Sequence, residues 1–346
     1  MNRSITLLAC ASVLLCCAEA FGASWNTVVF RHDFDTSVGD PPDPSVWVVN
    51  HPDEWWWVQG RTHFPDPLST TGPFPRVDEE GGTRFCVIEH HHYNPWDLGT
   101  PNTTFLGGEI HTIQEFEPNT GYRIEARVRS PAYPDGLVTS FFEYGFDGAK
   151  SDEIDFEFVS NQTNDDVTYP NGDPVLTNIW NESSSTALVQ EPQYVAPSGL
   201  DLTQWNTFRI YWHPTLGRAD WSWVDSIEGE TWLRSETDPS CIPDEPMALY
   251  FNFWAPLPSS PIGTPCSPPF DWDAYDAGLQ PVNDSGSDQT SLYEIDYAEA
   301  RTLSENVPAV SKALRVAMAA LILASGGLLV RLRQGSRSRR RGLPVS

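Results

Sequence analysis

Lysine is almost missing from this chain of 346 residues: Lys150 and Lys312 are the only two. Bases of either kind are scarce, with 21 Lys and Arg against 47 Asp and Glu and a formal charge of −26. The imbalance sharpens in the middle. Nine of the bases and one acid lie outside residues 24–306, which leaves 12 bases, 46 acids and a net −34 inside. That charge argues against nucleic acid and anionic membrane surfaces as partners of the body. Heavily sulfated polysaccharide is a poor match too, with a local arginine cluster as its one route. A lysine-poor acidic surface fits a saline habitat or plain solubility.

Cysteine is also sparse, and it is unevenly placed. Three of the six lie in the first 17 residues (Cys10, Cys16, Cys17), which leaves Cys86, Cys241 and Cys266. An odd count allows one intramolecular bridge and one remaining thiol. Cys241 and Cys266 sit in Pro-rich loops around a strand and are expected to pair, with Cys86 buried in its own strand. No Cys/His spacing resembles a zinc site. His90-His91-His92 is contiguous, so in a strand the outer two share a face and the middle one opposes them.

Long apolar runs occur only at the two ends. Residues 1–23 combine Arg3, an apolar run from Ile5 to Cys17 and small residues at Ala18-Glu19-Ala20 and Phe21-Gly22-Ala23. This is the pattern of a secretory signal peptide. Near the other end, Val316 to Val330 is a run of 15 uncharged residues followed by an Arg-rich tail. It is short for a span of about 20 residues, though Arg315 and Arg331 can snorkel outward. The basic tail would stay cytoplasmic. Together with Val307-Pro308-Ala309-Val310-Ser311, residues 307–346 resemble a bacterial carboxy-terminal sorting signal, which implies a sorting protease as partner. A retained transmembrane anchor is the alternative. In either case the membrane is met only through this helix, and the mature protein is exported and then anchored at the surface or released.

Between the ends no long segment has helical periodicity, and no internal repeat is visible. Short runs at Phe85–His90, Gly121–Arg129, Leu137–Tyr144, Trp205–Trp212, Met247–Phe253 and Ser291–Ala300 read as strands, set apart by many of the 30 Pro and 24 Gly. Residues 24–306 therefore form one all-β domain, a sandwich of two sheets. The most telling strand is Ser151–Phe158, Ser-Asp-Glu-Ile-Asp-Phe-Glu-Phe. Acids and apolar residues alternate there with period two, so Glu153, Asp155 and Glu157 share one face above Ile154, Phe156 and Phe158. Stacked like charges weaken a strand, which makes decoration a poor explanation beside chemistry. Glycoside cleavage needs such carboxyls, with a retaining separation of roughly 5–5.5 Å. Glu153 and Glu157 are about 13 Å apart along a flat strand, so a curved sheet is required to bring them together.

Glu153-Ile-Asp-Phe-Glu157 resembles the Glu-x-Asp-x-Glu signature of glycoside hydrolase family 16. The flanking blocks follow that family's order: Gly107-Gly-Glu-Ile-His111, Gly121–Arg127, Gly136–Phe142, Leu176–Trp180, Phe208–Trp212, Leu249–Trp254 and Tyr293–Tyr297. The resemblance implies a β-jelly roll with a concave substrate cleft and a retaining mechanism. It makes Glu153 the nucleophile, Glu157 the acid/base and Asp155 their hydrogen-bonding helper. Glu109, Asn178 and Trp254 match sugar-contacting positions, and Trp55, Trp56, Trp57, Trp96 and Trp180 are further cleft candidates, Trp180 being counted with the substrate-binding set. The motif has no extra residue between its acids, as in licheninases and xyloglucan-modifying enzymes, whereas His111 stands where those often carry Arg and Gln162–Asp173 is an unusual insertion. The expected protein is a monomeric endo-β-glucanase for β-1,3/1,4- or β-1,4-linked glucan. The alternatives are a non-catalytic carbohydrate-binding protein and a transglycosylase acting on an envelope polymer. No cofactor is required. The family leaves room for a structural calcium, although no Asp-rich loop has a regular calcium-ligand spacing.

Overall fold

The computed structural model describes residues 25, 27–50, 58–59, 62–65, 75–94, 105–131, 137–148, 150–159, 175–184, 187–190, 193–195, 197–225, 229–255, 288 and 290–302. They fall almost wholly in one compact unit, Thr27–Thr302. The two terminal segments, the insertion at 162–173, Trp55–Trp57, Trp96 and Cys266 lie outside the described residues. No helix among the described residues is long and apolar enough to cross a membrane.

Among the described residues nineteen strands, numbered in chain order, build two sheets. The first, here the site sheet, runs β13 (Ala187–Gln190), β12 (Val175–Ser184), β11 (Ser151–Val159), β10 (Val138–Phe146), β18 (Met247–Trp254), β8 (Gly108–Phe116), β2 (Trp47–Val49), with β14 (Gln193–Val195) also on β12. The facing sheet runs β17 (Gly229–Glu236), β16 (Arg218–Asp225), β15 (Asn206–His213), β9 (Tyr122–Arg129), β19 (Thr290–Thr302), β6 (Thr83–His91), β7 (Phe105–Leu106), β4 (Thr62–His63), β3 (Val58–Gln59). Strand β1 (Thr27–His32) adds to β19, and β5 (Arg76–Glu80) to β6. Pairing is antiparallel except between β4 and β7. The arrangement is a two-sheet jelly-roll sandwich. Each strand expected from the sequence lies within one of these elements, shifted by a residue or two at the ends.

Alternation decides which side chains enter the core. On β11, Ile154, Phe156 and Phe158 are fully buried. Phe141 of β10 stacks on Phe156 at 6.0 Å and on Phe251 of β18 at 5.6 Å, and Phe208 of the facing sheet closes on Phe158 at 4.7 Å. Each such ring contributes roughly 1.5–3 kcal/mol by burial. Polar groups of the facing sheet also cross the core. The Trp221 indole N–H donates to the Asp155 carbonyl at 2.9 Å, and the Tyr293 hydroxyl donates to the Ser140 carbonyl at 3.1 Å. Gly145 lets β10 approach its neighbour, since a Cβ there would lie 2.1 Å from the Pro246 carbonyl oxygen.

The scarce bases are all engaged. Each of the eleven described Lys and Arg side chains forms an ion pair. A row on the facing sheet links Arg31, Glu299, Arg123, Glu125 and Arg209. The histidine run divides as the alternation requires. His90 and His92 are buried with rings 6.0 Å apart, while His91 is held between Asp288 and Glu89. Cys86 is a buried free thiol, and Cys241 is buried in the loop after β17.

One core position contradicts the pattern. Glu143 of β10 lies on the apolar side, in register with Ile154 and Leu249, fully buried with neither carboxyl oxygen hydrogen-bonded. Burial raises its pKa well above the ordinary carboxyl value, and Tyr122 is a titratable neighbour that its charge would reach. The folded chain therefore keeps a proton that the unfolded chain loses, so stability falls as pH rises above the unfolded value. Glu143→Met is expected to stabilise the protein by on the order of 1–3 kcal/mol, and by more at pH 8 than at pH 5. Urea unfolding at the two pH values checks this; a gap that does not widen with pH would mean that Glu143 is ionised in the fold.

Candidate active site

The outer face of the site sheet is the complement of its core face. Cross-strand register sets the side chains of that outer face in three rows. One row runs Asn178, Asp155, Phe142, Tyr250, His111 across β12, β11, β10, β18 and β8. The second runs Leu176, Glu157, Ser140, Asn252, Glu109. The third runs Trp180, Glu153, Tyr144, Ala248. Trp254, paired with Val138, continues beyond Asn252 on β18. The structure thus brings Glu153, Asp155, Glu157, Glu109, Asn178, Trp180 and Trp254 to one face of one sheet.

The carboxyls are crowded and largely desolvated. Asp155 is 1% exposed, Glu109 is 4% exposed, and Glu153 and Glu157 are half-buried. Burial raises Glu153, and the Glu157 charge is the next largest influence on it. Burial also raises Glu157, with the charge of Asp155 adding to the effect. Like charges this close cannot all ionise, so the cluster retains protons that isolated carboxyls would release. Within the pair, the contact with Glu153 raises Asp155, whereas the contact with Asp155 lowers Glu153. Both carboxyls are raised, and the contact between them favours the proton on Asp155 over Glu153. The Arg234 guanidinium and then the Asn178 amide oppose the rise on Asp155. Arg234 is itself buried, donating to the Thr177 carbonyl and lying over the Trp221 ring at 4.6 Å.

Glu109 anchors a second polar chain that the sequence did not reveal. Asn50 and Asn252 both donate side-chain amide hydrogens to its carboxylate, and Ser140 donates to the Asn252 oxygen at 2.6 Å. Burial pushes Glu109 up to about 7, and the two amides restrain that rise. The chain ends at Ser140, the register partner of Glu157. Period-two reading of Leu249–Trp254 could have placed Tyr250, Asn252 and Trp254 on one face. Asn50 follows a strand of only three residues and leaves no periodic signal. Among the described residues no group of three or more His, Cys, Asp or Glu could hold a metal ion.

A two-sheet jelly roll with such an acidic row has the form of a glycan-cleaving domain. The model of the glycosyl hydrolases family 16 matches residues 87–265. The chain belongs to that family of glycoside hydrolases. Among solved structures it is similar to the Bacteroides ovatus mixed linkage glucan PUL GH16 in complex with G4G4G3G product, at 16% identity and a TM-score of 0.55 over 79% of this chain and 99% of that one. A family 16 endo-glucanase from the same organism, in complex with G4G3G-2F-DNP, gives 16% identity and a TM-score of 0.54 over the same shares. LamAcat from Zobellia galactanivorans gives 13% and 0.51 over 80% and 98%. At these identities the likeness is one of fold. No curated protein matches the chain.

The charge of Glu109 raises Glu153. Removing it in Glu109→Gln is expected to lower the Glu153 pKa, read as a shift to lower pH in a carboxyl NMR titration. An unmoved titration would mean that Glu109 carries no charge that Glu153 senses.

Proposed function

We propose that this glycoside hydrolase is an exported, retaining endo-β-glucanase acting on β-1,3/1,4- or β-1,4-linked glucan by double displacement. The observation that carries the reading is the placement of Glu153, Asp155 and Glu157 on one solvent-facing side of a central strand, with unequal proton affinities.

Each role follows from environment. Glu153, helped to ionise by the proton on Asp155, attacks the anomeric carbon. The glycosidic C–O bond breaks, and Glu157, kept protonated by burial, delivers its proton to the leaving oxygen. The covalent glycosyl-enzyme then meets water. Glu157, now a base, takes a proton from that water as its oxygen attacks the same carbon, and Glu153 leaves as carboxylate. Asp155 acts through Glu153 and moves no proton to substrate. Trp180, beside Glu153, and Trp254 supply aromatic surface for sugar rings. The choice of glucan is supported by the unbulged motif and by the glucan oligosaccharide products named in the Bacteroides ovatus complex.

Export rests on the pattern of residues 1–23, and surface attachment on the segment 307–346. The mature amino terminus then follows Ala20 or Ala23. Amino-terminal sequencing of the protein recovered from its native envelope or medium checks this, and an intact Met1 would refute it.

Reducing-sugar release from barley glucan, laminarin, xyloglucan and agarose tests the activity. Release from at least one β-glucan is expected. Glu157→Gln should lose at least about 10²-fold in kcat, the lower bound for removing one positioned proton-transfer group, and Glu153→Gln, which removes the nucleophile, should lose at least as much. Glucan binding without release by the wild type would make this a binding protein. Product transfer to an added acceptor oligosaccharide would make it a transglycosylase.

A further inference from the structure

Arg234 reaches the interior through a fault in its strand. Trp232 of β17 pairs with Ser222 and stands outside, 57% exposed. Two residues on, strict alternation would put Arg234 outside as well. The register between β16 and β17 shifts at Trp221 and Ser222, and this bulge sets Arg234 opposite Trp221 on the core side. There the guanidinium lies over the Trp221 ring at 4.6 Å and donates to the Thr177 carbonyl at 3.0 Å. A bulge re-aims a side chain at a local cost to the ladder, and here the side chain it re-aims is a cation.

Trp221 and Arg234 together span the sandwich. Trp221 donates to the Asp155 carbonyl at 2.9 Å, one residue pair away from the carbonyl that Arg234 holds. Asp155 is in register with Asn178, and Phe156 with Thr177. The facing sheet therefore grips β11 and β12 from beneath, at the place where Asp155 meets Asn178. Stability alone does not call for a charge there. A guanidinium taken out of water is costly, and an apolar side chain of like volume would serve the fold as well or better.

The outer face has no cation of its own, since no residue in its three rows is Lys or Arg. Facing Asp155 are Glu153 and Glu157 on its own strand, Tyr144 on β10, Tyr250 on β18, and Glu109 and His111 on β8. Burial lowers His111 to about 4, which keeps that ring neutral. Strand β12 presents the Asn178 amide, and β17 adds Glu236, 3.6 Å from Arg234. Burial and then the Glu153 charge raise Asp155, and Arg234 is the first group to oppose them. We propose that Arg234 is a positioning residue for the catalytic acids: from within the core it fixes β12 beside Asp155 and supplies, from beneath the sheet, the positive charge that the outer rows lack. It touches no sugar and acts through Asp155. The proposal rests on the glucanase reading and adds to it a residue of the opposite sheet.

The test removes the charge and leaves the acids in place. Arg234→Met removes charge and hydrogen bond, Arg234→Gln keeps a donor for the Thr177 carbonyl, and Arg234→Lys keeps the charge. Carboxyl NMR titration should show Asp155 shifted up by about one pH unit in the Met and Gln variants, the lower end of what a nearby opposite charge does. The Lys variant should titrate as the wild type does. An acid that holds its proton more tightly donates a weaker hydrogen bond, so Glu153 loses support as a carboxylate. On barley glucan the Met and Gln variants should then lose about threefold to tenfold in kcat with KM unchanged, and Lys should restore the rate. In the wild type, the Arg234 guanidinium resonance should move with the Asp155 midpoint, a reading that holds even where a variant does not fold. Equal Asp155 titrations in the wild type, Met and Gln proteins would overturn the proposal, as would a guanidinium resonance blind to Asp155. A shift of the same size in all three variants would assign the effect to lost packing and overturn it too. A wild type that cleaves no glucan refutes the glucanase reading by itself, whereas the titrations need no substrate and still decide the role of Arg234.

Discussion

The stack of phenylalanines between the sheets is the constraint on which the rest depends. Phe156 packs on Phe141, and Phe141 on Phe251, across three adjacent strands. Strand geometry then permits one outcome for the alternate positions: Asp155, Phe142 and Tyr250 must stand on the opposite face. A slip of one residue would bury three carboxyls and expose the stack. The oily side of the sheet therefore fixes the reactive side. The cross-sheet bonds from Trp221 and Tyr293 act in the same direction by holding the backbone at Asp155 and Ser140.

The same arrangement carries an electrostatic cost. Several carboxyls are gathered where water is thin, and each added charge raises its neighbours. The chain offsets part of that cost with amides in place of cations. Asn50 and Asn252 serve Glu109, and Asn178 serves Asp155. Amides stabilise a carboxylate without supplying a net positive charge, so the site stays acidic and keeps its protons in the neutral range. Among the described residues, cations are confined to ion pairs, chiefly on the facing sheet.

Much of this was legible in the sequence because period-two alternation survives translation into structure with little distortion. The catalytic strand, its three acids and the sandwich class were readable from Ser151–Phe158 and the spaced turns. Glu109, Asn178 and Trp254 were reachable through resemblance in flanking blocks. Long-range register was not legible. Nothing local says that Tyr250 lies beside His111, since the two are far apart in the chain and meet only through pairing of β18 with β8. Asn50 was hidden for the same reason, its partner being fixed by tertiary contact. Glu143 reads as an ordinary polar position beside Tyr144, and only the packing reveals that it faces the core. The pairing of Cys241 rests on Cys266, which lies outside the described residues.

Strand β19 sits in the middle of the facing sheet, between β9 and β6, with β1 on its flank. It is also the last of the described strands. The first strand therefore waits for the last, and neither half of the facing sheet can close on the other until residue 302 is available. Contacts of such sequence separation are slow to form and leave open edges exposed meanwhile. Carboxyl crowding on the site sheet then has a kinetic side, because strands bearing unpaired like charges resist joining those of another copy. The acids proposed for catalysis in the finished domain would also guard the unfinished one against aggregation.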